Sequence, residues 1–232
     1  IRLLPAGTNR VGRPFSCEAV VTYYNTNWPI CFLQDPTSGI FVHMDFRVWK
    51  LRVGERVRVT GEVHTDGLPK ALHFVEMDPV VPLPEARVAP LSEYARGVND
   101  SHRVQATGWL TDRWHQNGHH VLEMVGEFGQ KFRGALPMEE ATAELLDSWM
   151  GGRLDIQGVC GLEFSPAHEH IGFRIWIPGT NHIEARPLGP VSSAPGSSRP
   201  VASVDLQNFD RDHPRPFQVS GVVTLQKSER LF

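Results

Sequence analysis

The residues best suited to chemistry in this chain are its histidines. His119-His120 and His168-Glu-His170 fall on two predicted strands of one unit, and a zinc ion would need imidazoles from both strands. Neighbouring residues of a strand point to opposite faces, so only one of His119 and His120 can face such an ion. Because no carboxylate-rich cluster accompanies them, we expect no metal site and no cofactor.

The three cysteines, Cys17, Cys31 and Cys160, are an odd number without a CxxC pair. This pattern excludes a disulfide framework and a thiolate zinc site. Cys17 and Cys160 occupy small apolar positions of predicted strands and are expected to pack in the core. The sequence also contains no GxSxG elbow, P-loop or GxGxxG motif. We therefore predict no catalytic residue and expect this stretch not to be an enzyme.

The best candidate for binding is an aromatic cluster around the first predicted hairpin. Tyr23, Tyr24, Trp28 and His43 are the candidate ligand-binding residues, and the first three are expected to be exposed at the hairpin loop. Three basic residues follow them: Arg47, Lys50 and Arg52. Aromatic rings beside a basic groove can also hold single-stranded nucleic acid. The net charge of -3 does not favour that partner, because phosphate-binding proteins usually carry a basic excess.

A repeated segment indicates how these residues are positioned. Residues 13–22 read RPFSCEAVVT and residues 215–224 read RPFQVSGVVT, with the same residue at six positions. Residues 102–111, HRVQATGWLT, show the same alternation and the same final Thr. Gly54 to Gly61 likewise matches Gly151 to Gly158 in spacing. The chain therefore reads as three copies of one module, with the last copy cut short.

Alternation and turn signals place five strands in each of the first two copies. In the first copy these are residues 14–24, 29–34, 39–43, 55–64 and 71–80; in the second they are 103–112, 119–126, 130–135, 153–163 and 169–178. A helix is predicted over 138–151, before the fourth strand. This order is that of the five-stranded Greek-key barrel called the OB-fold. We predict a mainly β chain with two tandem OB-type barrels and the truncated start of a third.

The predicted domain limits follow the proline-rich segments. Barrel 1 covers residues 1–88, barrel 2 covers 89–188, a Pro/Ser/Gly linker covers 189–213 and the third module begins at 214. Segments 81–100 and 187–213 are expected to act as hinges.

Motifs of the first copy resemble a known family. The matching residues are Val20-Val21-Thr22, Phe32-Leu33-Gln34-Asp35, Gly39-Ile40-Phe41-Val42 and Gly54 through Gly61. They are similar to the repeated OB-like modules outside the membrane in bacterial sensor histidine kinases and related signalling proteins. The likeness covers most of residues 13–80 and the opening of the third copy, whereas the second copy departs from the pattern.

The resemblance implies the periplasmic sensor part of a membrane-anchored two-component protein whose kinase lies on other sequence. No catalytic residue transfers, and the partner would be a small ligand or a protein. Two alternatives stay open: a single-stranded nucleic-acid binder and an architectural spacer. A homodimer through sheet edges or through the third module is a further expectation.

Overall fold

The computed structural model describes residues 11–64, 68–165, 167 and 169–186. Beyond these it gives only four short strand segments: Arg199–Pro200, Val219–Ser220, Gln226–Lys227 and Arg230–Leu231. The predicted linker over 189–213 and the third module from 214 therefore lie largely outside the described residues.

Barrel 1 is a closed five-stranded sheet. Its strands are β1 (Pro14–Asn25), β2 (Ile30–Gln34), β3 (Gly39–Phe41), β4 (Arg56–Val63) and β5 (Pro69–Asp78). They are hydrogen-bonded in the order β3-β2-β1-β4-β5. The backbone of His43, just after β3, closes the barrel by bonding to Pro69 and Ala71 in a parallel bridge to β5. Closure through parallel third and fifth strands is the OB arrangement.

Barrel 2 repeats this topology. Its strands are β7 (Arg103–Gln116), β8 (His119–Val125), β9 (Lys131–Pro137), β10 (Arg153–Phe164) and β11 (His170–Trp176). Strand β10 pairs with both β7 and β11, and β11 pairs in parallel with β9, which closes the ring. The fold class predicted from the sequence is thus confirmed as mainly β with OB-type barrels.

Three further elements extend barrel 2 and were not predicted. Strand β6 (Arg87–Val88) pairs in parallel with β7, helix α1 (Leu91–Ala95) follows it, and β12 (Ile183–Arg186) pairs with β10. The Tyr94 hydroxyl of α1 has one proton to donate and lies within hydrogen-bond distance of the carbonyls of Arg87 and Gln105, and it accepts from the Ala89 amide. Part of the expected hinge over 81–100 is therefore built into the sheet of barrel 2.

The predicted helix over 138–151 is shorter than expected. A 3-10 turn, Met138–Glu140, is separated from helix α2 (Ala143–Trp149) by Ala141 in an extended conformation, with φ of -149°. Thr142 caps α2 by accepting a hydrogen bond from the Leu145 amide, as an N-cap threonine does. Leu146 and Trp149 then bury one face of α2 in the core of barrel 2.

Candidate binding site

The two barrels pack against each other through the outer faces of their sheets. Residues of each strand alternate between the barrel interior and the outside. The outward-facing side chains that meet form the barrel–barrel interface: Tyr23, Ile30 and Phe32 of barrel 1 and Ala135, Val159 and Trp176 of barrel 2. Trp28 and Phe41 pack around this cluster. A side chain on this surface is therefore buried by the other barrel.

Hydrogen bonds cross the barrel–barrel interface at both ends. The Tyr23 hydroxyl lies 2.7 Å from Nε2 of His119, and the amide of Gly39 donates to Nε2 of His102 over 3.1 Å. The amide of Arg103 donates to Oε1 of Gln34 over 2.7 Å. All of these residues are buried, so each bond is shielded from water.

The two interface histidines are neutral hydrogen-bond acceptors at Nε2. Nδ1 of His102 lies 3.1 Å from the carbonyl of Asp100, and Nδ1 of His119 lies 2.9 Å from the carbonyl of Asn117. A carbonyl only accepts, so Nδ1 carries a proton in each ring, and in the neutral ring Nε2 offers its lone pair to barrel 1. Burial lowers the pKa of His119, which favours this neutral form.

Arg174 joins the barrels by stacking. Only 3% of Arg174 is exposed, and its guanidinium carbon lies 4.5 Å from the ring centre of Trp28 and 5.3 Å from that of Trp176. Nη2 pairs with Glu163 at 2.5 Å, while Nε and Nη1 are buried without a hydrogen-bond partner among the described residues. Stacking of a desolvated guanidinium on indole rings stabilises this contact.

Arg103 holds the linker against barrel 2. Its guanidinium donates to the Pro84 carbonyl, to Oε1 of Gln157 and to Nδ1 of His182. Since a guanidinium only donates, Nδ1 of His182 is an acceptor, and burial and Arg103 lower the pKa of this ring. The linker is thus bonded at Pro84 and again at β6.

The structure does not bring the four predicted site residues into one exposed cleft. The expectation that Tyr23 is exposed is wrong: it is 1% exposed because barrel 2 covers it. Trp28 is half-buried in the same interface. Tyr24 packs on the core of barrel 1 and donates to the Trp49 carbonyl, and His43 contacts the rings of Phe41 and His64.

The histidines weighed as zinc ligands and the cysteines are placed as follows. His119 and His120 are buried, whereas His168 lies outside the described residues. Within the described ranges, no group of three or more His, Cys, Asp or Glu side chains is arranged to hold a metal ion. Burial raises the pKa of the Cys160 thiol to about 12 and also raises that of Cys17, so neither is an activated thiolate.

Two adjoining concave grooves lie beside the linker in the described part of the chain. The first, of about 840 Å³, lies between β1, the end of β2 and the linker; the second, of about 470 Å³, lies between β6, α1 and the hairpin that joins β8 to β9. Both are lined by Val88, so together they form one linker trough. Val88 is 78% exposed and Phe128, on the far wall, is 70% exposed.

The residues that matter most here are not among the predicted site residues; they are Trp176, Arg174, Val88 and Phe128. A signal for the interface was present. Residues 30–33 read ICFL and residues 171–177 read IGFRIWI, and near-continuous apolar runs are typical of strands buried on both faces. No sequence signal marks the linker trough.

Comparisons with known proteins add little to this picture. No family model matches the chain, and no curated protein matches it. Among solved structures, a putative aspartyl-tRNA synthetase from Leishmania major Friedlin is 10% identical, with a TM-score of 0.35, over 47% of this chain and 22% of that one. This chain thus spans about a fifth of the synthetase.

Two further structures match a larger share of the chain. The p204 HINb domain is 9% identical with a TM-score of 0.35, over 78% of this chain and 100% of that one. The Ifi202 HINa domain, in complex with 20 bp dsDNA, is 9% identical with a TM-score of 0.32, over 77% and 98%. The OB topology rests on the strand order of this chain itself. Separately, no helix of the described residues has the length and apolar character of a membrane span.

Proposed function

We propose that this chain is a non-catalytic binding region, the sensor or interaction part of a bacterial signalling protein outside the cytoplasm. The observation that carries the proposal is the way the barrels are joined. Their outer faces cover each other, and the linker trough remains as an open concave surface beside the joined barrels. The resemblance of the first copy to sensor histidine kinase modules supports the signalling context.

The linker trough suits an extended polypeptide segment. It is long and open, its exposed apolar side chains are Val88 and Phe128, and β6 stands at the edge of its sheet. An edge strand can accept a further strand through main-chain hydrogen bonds while apolar side chains of the guest enter adjoining grooves. Glu85 and Arg87 on the linker offer both signs of charge to such a guest.

Nucleic acid fits the described surfaces less well. Single-strand binding by OB barrels uses exposed aromatic rings on the sheet together with a basic groove. Here Tyr23, Phe32 and Trp176 are at most 7% exposed, because each barrel covers the other. The net charge of -3 supplies no general attraction for phosphates.

Selection of peptides tests the proposed site. Phage-displayed extended peptides are selected on the intact chain, and the affinity of the best one is measured by fluorescence anisotropy. Phe128→Asp and Val88→Asp should each weaken binding at least tenfold, because a charge enters an apolar contact. The matched control is Ile171→Asp, an equally exposed position on β11 that should not change affinity. Selected peptides whose affinity is unchanged by both trough substitutions would contradict the proposal.

Oligonucleotide binding tests the rival function. With dT20 and rA20 as probes, we expect no binding with a Kd below about 100 μM at 50 mM salt. A tighter Kd that weakens steeply with added salt, as counterion release requires, would instead establish a nucleic-acid binder.

A further inference from the structure

Two histidines, His102 and His119, form hydrogen bonds across the barrel–barrel interface through Nε2, an atom that can take up a proton. His102 and His119 lie in barrel 2; Nε2 of His102 accepts from the Gly39 amide of barrel 1, and Nε2 of His119 is hydrogen-bonded to the Tyr23 hydroxyl of barrel 1. His102 is 5% exposed and His119 is 0% exposed. Protonation of either ring therefore takes place inside the contact between the barrels.

For His102 the neutral form is a geometric requirement. Its partner is the backbone amide of Gly39, which can only donate. A proton on Nε2 would place two donors against each other at a buried site. The Gly39 backbone lies directly against barrel 2, since a Cβ at this position would overlap the Ser101 carbonyl group.

The interface also depends on a neutral His119, although less strictly than on a neutral His102. Its partner, the Tyr23 hydroxyl, can rotate and accept, so a protonated ring keeps a hydrogen bond. The cation would nevertheless be buried among the rings of Tyr23, Trp28 and Trp176. Burial is the main cause that lowers the pKa of His119, and a charge at this place therefore disfavours the closed interface.

We propose that the barrel–barrel interface is an acid-sensitive contact, closed while His102 and His119 are neutral and opened when they take up protons. Opening frees the outer faces of both barrels and changes their relative orientation. The proposal does not require that the linker trough binds a guest, so each proposal can fail alone.

Some charged groups around the two rings favour protonation of the histidines, and others oppose it. Asp35, in the turn after β2, interacts electrostatically with His102, and Asp100 and Arg103 flank His102 in the chain. Glu139 favours the His119 cation, while Arg174 and His120 oppose it. Carboxylates can moderate the cost of each charge, but none of them restores the acceptor that the Gly39 amide loses.

Amide hydrogen exchange of the intact ¹⁵N-labelled chain between pH 8 and pH 5 tests the proposal. Below the ordinary histidine pKa of about 6.5, the protection factor of the Gly39 amide should fall by about tenfold per pH unit for each proton taken up on opening. The amide of Val21, which bonds to Glu55 inside barrel 1, should stay protected over the same range. Equal loss of protection at both amides would indicate global unfolding and would overturn the proposal.

Matched variants identify the groups responsible. His102→Gln keeps an acceptor for Gly39 without titrating, and the H102Q/H119Q double variant should make the protection of Gly39 independent of pH. His73→Gln, at an exposed histidine of barrel 1, should leave the wild-type pH profile unchanged. A double variant that still loses protection as steeply as wild type would overturn the proposal.

A second measurement covers the case in which the double variant does not fold. The ¹⁵N shifts of the His102 ring in the wild-type chain report its protonation directly. Loss of Gly39 protection should follow the protonation of this ring. A protonated His102 beside a fully protected Gly39 amide would refute the inference, as would constant protection from pH 8 to pH 5.

Discussion

Replacement of Gly39 by alanine should separate the two barrels. An ideal Cβ at position 39 would overlap the Ser101 carbonyl group and lie 2.9 Å from the His102 nitrogen, and all of these neighbours are backbone atoms. Ordinary contacts of this kind need about 3.5 Å, so the two backbones must move apart. That movement lengthens the Gly39–His102 and Arg103–Gln34 hydrogen bonds beyond bonding distance.

The expected cost follows from these two bonds. A buried group left without its partner costs about 1–3 kcal/mol, so Gly39→Ala should lower the free energy of unfolding by about 2–6 kcal/mol. Urea unfolding followed by tryptophan fluorescence measures this value. Gly179→Ala is the matched control, because a Cβ there meets only the side-chain ends of Glu140 and Asn181, which can move aside. Equal stability of the two variants would refute the proposed packing of the barrels.

Other perturbations separate the parts of this account. Tyr23→Phe removes the hydroxyl that bonds to the buried His119 ring and should destabilise the chain by about 1–3 kcal/mol in urea unfolding. Tyr24→Phe should cost less, because the Tyr24 hydroxyl bonds within the partly exposed edge of barrel 1. A larger loss for Tyr24→Phe than for Tyr23→Phe would contradict the placement of Tyr23 in the interface. Arg174→Lys loses the planar stack on two indole rings and should lower stability by about 1–2 kcal/mol, whereas an unchanged value would show that the stack contributes nothing. Burial lowers the pKa of His119 in the folded state, so the stability that the neutral ring contributes is complete above its unfolded pKa of about 6.5 and is lost as the pH falls below that value. Thermal unfolding midpoints should therefore decrease from pH 7.5 to pH 5. Midpoints that rise over this range would contradict the direction of the pKa shift.

The sequence predicted the barrels well because each strand alternates over a fixed period. Strand β4, for example, was predicted over 55–64 and spans Arg56–Val63, with Val57 and Val59 in the core of barrel 1. The elements that were missed are short or depend on tertiary contacts. Strand β6 has two residues, and its place depends on pairing with β7.

The candidate site was less predictable, because alternation does not say what covers the outer face of a sheet. Tyr23 looked like an exposed ring at a hairpin, but it is buried by barrel 2, whose contribution comes from residues about a hundred positions away. The apolar run over residues 30–33 indicates that β2 is buried on both faces, but it does not indicate which residues cover Tyr23. The linker trough depends on the path of the chain between barrels, which no local pattern specifies.

The most direct test of the account is a scalar coupling across the hydrogen bond between the barrels. In the ¹⁵N-labelled chain at pH 8, the Gly39 amide nitrogen should show a measurable two-bond coupling to Nε2 of His102, because the amide proton lies between them. Observation of this cross-peak would establish that the barrels meet through their outer faces with His102 neutral. A chain that is folded at pH 8 but lacks the coupling, with a His102 ring that titrates freely in water, would contradict the account.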